Sequence, residues 1–265
     1  DGNGVTIVVD THLGTSDYVG LFGFLGAGSI VQNIMIQGSI TGRDRVGALA
    51  GETSGATVSN VFNNATVNGR QYVGGLIGVM SDTTMTQVYN MNHVTGSSRD
   101  IGGLVGWGQR SQIKNAFNYG NVKATQVVGG IIGYANNNMT ISNVYNRGHI
   151  ESTVTSGSAW IGGIIGASYT NTTLENSYSA GSIVSRRNDR IGGFIGGVSG
   201  ITHESNSYYD QTIIDAQMLA NGFFKPTQAI FNKLNQEDVR GLDKTALIGT
   251  NALVNTKLSA DYFVF

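Results

Sequence analysis

Apolar and polar residues alternate along most of this chain in short runs. Met139–Asn146 reads MTISNVYN, with Met139, Ile141, Val144 and Tyr145 set among polar neighbours. In Gly120–Ala124 (GNVKA), Val122 stands between Asn121 and Lys123. A period near two predicts strands, and the Gly, Asn and Ser residues that bound each run predict turns. Nothing between Val19 and Tyr209 carries the longer period of an extended amphipathic helix.

The runs also repeat. A six-residue phrase recurs as VGGLIG (Val73–Gly78), IGGLVG (Ile101–Gly106), VGGIIG (Val128–Gly133), IGGIIG (Ile161–Gly166) and IGGFIG (Ile191–Gly196). Its first glycine falls at Gly20, Gly47, Gly74, Gly102, Gly129, Gly162 and Gly192, spaced by 27, 27, 28, 27, 33 and 30 residues. An amide follows each anchor at Asn33, Asn60, Gln87, Asn115, Asn143, Asn176 and Asn206. Two residues later comes a large side chain: Met35, Phe62, Tyr89, Phe117, Tyr145, Tyr178 and Tyr208. Five beyond that stands a β-branched aliphatic: Ile40, Val67, Val94, Val122, Ile150, Ile183 and Ile213.

Matching by column at this period predicts stacked coils, because coils laid on one another place equivalent residues in line. The reading is an all-β chain: a single right-handed parallel β-helix of about seven coils, with a rise of about 4.8 Å per coil. Residues 1–214 form the solenoid, with 1–17 as its opening strand and N-terminal cap, and 215–265 form a small, partly helical C-terminal cap. The β-branched column fills the bore. The aromatics stack, and the amides from Asn33 to Asn206 form hydrogen-bonded ladders at corners. The phrase itself reads as one coil's strand, with glycines that permit a tight corner and close backbone stacking. Whether Leu76 or Ile77 faces the bore stays open. The longest repeat holds ESTVTSGS (Glu151–Ser158) as an outward loop, and Glu151, Thr153, Thr155 and Ser156 are its candidate binding residues.

Composition narrows the function. Only 12% of residues are charged and the net charge is -1, so no basic stripe points to nucleic acid or an anionic membrane. There is no cysteine, which excludes a disulfide framework, a thiolate zinc site and a cysteine nucleophile. No apolar run approaches the roughly 18 residues of a membrane-spanning helix. No signal-like segment opens the chain, so a secretion signal has been removed or lies outside this sequence.

Candidate chemistry is sparse. Glycine-rich phrases cradle phosphates only between a strand and a helix N-terminus, and no Lys-Ser or Lys-Thr follows any copy here. HESNS (His203–Ser207) begins like a zinc-protease motif, but Ser207 stands where the second histidine is required. His93 and His149 share a column two coils apart, too far to ligate one metal directly. Asp44, Glu52, Asp82, Asp100, Glu151, Glu175 and Asp189 are scattered, without the clustered carboxylates of a glycan-cleaving enzyme. The expectation is no enzyme, with no catalytic, metal or cofactor-binding residue. Sequons at Asn64, Asn138 and Asn171 are no more frequent than an Asn- and Thr-rich chain produces by chance.

The repeated GGLIG with NVYN between copies resembles the GLUG repeat of bacterial surface proteins. Tyr18–Gly42 is similar to the usual opening repeat and Asp1–Val9 to the strand that precedes such arrays. The resemblance covers about residues 1–214. Gly23 comes one residue early and the second copy reads VGALAG (Val46–Gly51), departures suited to a solenoid end. The resemblance implies a noncatalytic β-solenoid, either in a secreted or cell-surface bacterial adhesin or in the N-terminal region of an IgA1-specific zinc metalloprotease. The expected partner is a host-surface glycan or protein, with no nucleic acid, and the chain is expected to belong to a larger polypeptide.

After Ile214 the columns stop. Thr227 to Asp238 reads as a helix with an apolar stripe of Ala229, Ile230, Phe231 and Leu234. The final ADYFVF (Ala260–Phe265) closes the cap or pairs with another subunit, so self-association through the solenoid ends, as in an extracellular filament, is a further expectation.

Overall fold

A computed structural model describes residues 1–157, 159–185, 190–199, 202–205, 207–210 and 233–234. Every regular element in this range is a strand, and neighbouring coils pair in parallel. The chain is a β-solenoid whose coils pass through three sheets. The first has 15 strands, the second 6, from Asp44–Gly47 to Arg190–Gly192, and the third 7, from Phe22–Leu25 to Ile195–Val198. The 7 strands of the third sheet count the coils.

The strands of the first sheet shorten as the coils proceed. Ile30–Thr41 and Thr57–Gly69 are continuous, whereas the next coil breaks into Thr84–Asn90 and Val94–Gly96. Later coils keep that break, as in Gln112–Asn118 and Val122–Ala124. The β-branched column lies along the second arm in strict register, Ile40 to Val67, Val94, Val122, Ile150 and Ile183. All six are buried. Each such side chain contributes about 1.5–3 kcal/mol relative to exposure. Ile213, Asn206 and most of 215–265 lie outside the described residues.

The repeated phrase is not one strand: it joins the end of one strand to the start of the next across a corner. Gln71–Gly74 ends the second sheet's strand on the first glycine, and Ile77–Ser81 opens the third sheet's strand on the second aliphatic. Because the chain turns between them, both aliphatics face inward. Leu76 and Ile77 are fully buried, as are Leu104 with Val105 and Ile131 with Ile132. The glycines serve by lacking a Cβ. One added at Gly103 would overlap the Gly130 carbonyl oxygen and Asn118 Cγ, and one at Gly106 would sit 2.6 Å from the Tyr72 carbonyl carbon. Backbones of successive coils therefore meet at this corner with no room for a side chain.

Lys233–Leu234 is a short parallel strand beside Tyr209–Asp210. These two residues fall inside the helix expected over Thr227–Asp238. An open sheet edge takes up a strand because its amides and carbonyls need partners, and that pairing prevails over helical periodicity at this point. The rest of the expected cap lies outside the described residues.

Candidate functional site

Two amide columns run along the first arm of the first sheet, three residues apart. The column from Asn33 to Asn176 adopts left-handed backbone, with φ of 57° at Asn33, 50° at Asn60, 53° at Gln87, 52° at Asn115, 54° at Asn143 and 46° at Asn176. Asn reaches this region more readily than other side chains. One left-handed residue breaks the strand alternation, so Met85 and Val88, three apart, both point inward and are buried. Within this column Asn60 Nδ2 donates to Asn33 Oδ1 at 2.7 Å and Asn143 Nδ2 to Asn115 Oδ1 at 2.9 Å, while Asn33 Nδ2 donates to Asp1 Oδ1 at 3.0 Å. Gln87 is exposed.

The continuous ladder is the other column. Asn63 Nδ2 donates to Asn90 Oδ1 at 2.7 Å, Asn90 to Asn118 at 2.7 Å and Asn118 to Asn146 at 2.9 Å, and all four residues are fully buried. Each amide also ties its own turn, as Asn118 Nδ2 does to Gly120 O at 2.8 Å. The second glycine of the phrase packs on this column, Gly75 on Asn90 and Gly103 on Asn118. The amides expected to form the ladder are the left-handed ones, whereas the continuous ladder is this second column. The signal is present in Asn63, Asn90, Asn118 and Asn146, spaced by 27, 28 and 28 residues, within one of the anchor spacing.

The aromatic column stands on the outer side of the same arm. Tyr89 stacks on Phe117 with centroids 4.3 Å apart, and Tyr145 stacks on Tyr178 at 5.3 Å. Phe62 meets Tyr89 edge-on at 6.3 Å. Tyr119 bridges the two halves, 5.1 Å from Phe117 and 6.1 Å from Tyr145. Phe117 is wholly covered despite facing outward. Tyr208 takes part through its backbone, which pairs with Tyr178.

The 151–158 insertion divides. Glu151 lies in the strand Ile150–Ser152 and pairs with Lys123 Nζ at 2.9 Å. Thr153 donates to Ala124 O at 3.2 Å, and Val154 is fully buried. Thr155 and Ser156 are exposed. A buried valine and two interactions with the preceding coil bind the first half of the insertion to the solenoid, so the protruding part is shorter than the sequence suggested.

A different surface gathers chemistry: the outer edge beside the glycine corner. The position two before the anchor is Tyr18, Arg45, Tyr72, Asp100, Val127, Trp160 and Arg190 in successive coils. Facing it across the corner stand Glu52, Val79, Trp107, Tyr134, Ala167 and Gly197. Arg45 lies between two rings, 4.9 Å from the Tyr18 centroid and 5.7 Å from that of Tyr72, and its Nε is 3.0 Å from Glu52. Arg43 clasps Asp17 at 2.8 and 2.7 Å, and Arg70 clasps Asp44 in the same way one coil on. Their attraction holds the Asp17 carboxyl below its usual range through the hydrogen bond from Arg43, and Arg110 does the same for Asp82.

The edge changes at Asp100 and Val127. Both are small and buried where the column elsewhere carries Tyr, Arg or Trp. At Val127 this smallness leaves a notch of about 370 Å³ lined by Arg99, Gln126, Val127, Tyr134 and Trp160. Trp160 lies over Gly197, where an added Cβ would sit 2.9 Å from the indole, and Arg190 of the next coil holds its guanidinium 5.7 Å from the ring. Arg99 Nε donates to Asp100 Oδ2 at 2.9 Å, while Asp100 Oδ1 is buried without a hydrogen-bond partner. Burial pushes the Asp100 carboxyl up against the pull of Arg99. Burial, and then the Asp100 charge, push the Tyr134 phenol up. The notch arises where a repeat column fails to recur, so the periodicity does not point to it.

Among the described residues no three His, Cys, Asp or Glu side chains are grouped to hold a metal. No family model matches the chain and no curated protein is similar to it, which leaves the geometry of this edge as the ground for its function.

Proposed function

We propose that the chain is a noncatalytic binding module of a secreted or cell-surface bacterial adhesin, a GLUG-type solenoid that presents its outer edge to a host surface. The notched edge beside the glycine corner carries the reading: half-buried rings and guanidinium groups are held in line on a scaffold of paired coils. Such a surface loses little conformational freedom when a ligand arrives, so weak contacts suffice for recognition. The acids Asp17, Asp44, Glu52, Asp82, Asp100 and Glu151 support it as well, since each is paired with an Arg or Lys and serves the scaffold. The test is adhesion of the purified chain, immobilised on beads, to epithelial cells. Saturable binding, competed by free chain and absent from heat-unfolded chain, is expected. Binding no greater than that of an unrelated β-solenoid overturns the reading.

A second reading, end-to-end assembly, has its own observation. Val5–His12 pairs on one side with Ile34–Thr41, and Val5 and Val8 are 48% and 73% exposed. An apolar strand with an unpaired edge accepts another strand. Concentration-dependent fibres lost on Val8→Lys support that reading; a monomer at all concentrations removes it.

A further inference from the structure

We infer that the notch between Tyr134 and Trp160 is a sugar-binding site selective for a pyranose that carries a carboxylate. The inference deepens the adhesin reading and rests on it for biological meaning, but its chemistry stands on the notch alone.

The cavity exists because Val127 occupies a position that carries Tyr72 two coils earlier and Trp160 in the coil that follows. Its volume of about 370 Å³ lies at the small end for ligand sites and suits roughly one or two sugar rings. Tyr134 and Trp160 offer rigid planes with an apolar body and a polar tip, against which the C–H face of a pyranose lies flat. Val127 supplies an apolar floor, and the Gln126 amide both donates to and accepts from ring hydroxyls.

The charge selects the acid. Arg99 spends Nε on Asp100, which leaves the Nη amines of a half-exposed guanidinium for a ligand carboxylate. A planar fork is suited to that partner. Asp100 has no exposed surface, so its charge fixes Arg99 from beneath and does not meet the ligand. Arg190, over Trp160, adds a second positive charge at the rim.

The experiment is calorimetric titration of the full chain with a tetrasaccharide of alternating glucuronate and N-acetylglucosamine, with uncharged chitotetraose, and with inorganic sulfate. The charged tetrasaccharide is expected to bind at least about tenfold tighter than chitotetraose, the loss of one charge-assisted contact. Sulfate is expected to compete weakly. Val127→Tyr, which restores the bulk found at Tyr72, and Trp160→Ala are each expected to weaken binding by at least about tenfold. Trp107→Phe leaves Trp160 as the one tryptophan, and its fluorescence is expected to change saturably with the charged tetrasaccharide. Circular dichroism and melting establish that each variant folds; if Val127→Tyr does not, Trp160→Ala decides. Equal affinity for both tetrasaccharides overturns the acid selectivity. Undiminished competition by sulfate reduces the site to an anion site and overturns the sugar. Unchanged affinity in the folded variants, or no binding of the tetrasaccharide, overturns the notch. Epithelial adhesion that survives Val127→Tyr overturns the notch as the adhesive surface and spares the adhesin reading. Notch binding without any adhesion overturns the adhesin reading alone.

Discussion

Asn115 and Asn118 lie three residues apart in one strand, and each has counterparts in the coils on either side. Asn118 is fully buried and bonded to Asn90, Asn146 and Gly120. Asn115 is partly exposed, sits at a φ of 52° and accepts from Asn143. In the inner column the amide is used for its side chain, which must donate and accept at once to join three coils. In the outer column it is used for its backbone, because Asn tolerates the left-handed region. The replacements agree. The outer column admits Gln87 without losing its φ, whereas the inner one stays Asn through four successive coils before Ser179. A repeat column thus records a requirement, and the same letter can record two.

The largest expected effect is on the inner column. Asn118→Leu keeps the shape but breaks three buried bonds: Asn90 Nδ2 keeps only Asn92 O, Asn146 Oδ1 keeps only the Gly148 amide, and the Gly120 carbonyl loses the Asn118 amide. At about 0.5–1.5 kcal/mol for each lost bond, and more for the unmet carbonyl, the loss is about 2–5 kcal/mol. Denaturant unfolding measures it; a loss below about 1 kcal/mol would show that the ladder is ornamental.

Gly103→Ala probes the same column from the opposite wall. Its methyl would meet the Gly130 carbonyl and the Asn118 amide. Overpacking of this kind costs about 1–3 kcal/mol. The first coil carries Leu21 at this place, opposite Ile36, and the second Ala48, opposite Asn63 where the ladder starts, so the glycine requirement holds from the third coil on. An unchanged melting temperature in Gly103→Ala removes the steric account of the phrase.

Asn115→Ala is expected to cost less, about 1–2 kcal/mol, the penalty for a residue with a Cβ in left-handed backbone. Asn115→Gly should then cost less than the alanine, because glycine takes this φ freely and only the bond from Asn143 is lost. Should Asn115→Gly prove as damaging as Asn118→Leu, the outer column would be a side-chain ladder too and the contrast would collapse.

The fold was legible because stacking imposes identity by column: Val67, Val94, Val122 and Ile150 announce a bore before any coordinate is known. The division of labour between columns was less so. Asn115 and Asn118 are the same letter, and only φ and burial separate them. The phrase misled in a related way. A strand-like reading of Leu76 and Ile77 forces one of them outward, and the corner that buries both is a three-dimensional fact. The notch was the least legible, since Val127 matters through what it is too small to fill. The reading of Thr227–Asp238 as helix met its limit at Lys233–Leu234, where an open edge nearby decided the local structure.

A third amide position gives the smallest and most discriminating test. His93, Asn121 and His149 share the turn after the inner column, and Asn121 Oδ1 accepts from the His149 backbone at 3.1 Å. The His149 ring is half-buried with Nδ1 2.6 Å from Ser182 Oγ. Burial, with a smaller repulsion from Lys123, pulls its pKa below the ordinary 6.5 against the attraction of Glu151. A histidine with a depressed folded pKa is neutral when folded, while the unfolded chain takes up a proton as pH falls through 6.5. His149 therefore adds no pH dependence well above that value and removes stability as pH drops through the window just below it, until the folded ring also protonates. His149→Asn, the residue the neighbouring coil already holds at Asn121, abolishes this term. Melting curves at pH 7.5 and 5.5, about one unit either side of the ordinary histidine value, should show the wild type losing more on acidification than the variant. Equal losses would mean that the turn solvates imidazole as well as it does an amide, and that burial in this column does not reach past Gly148.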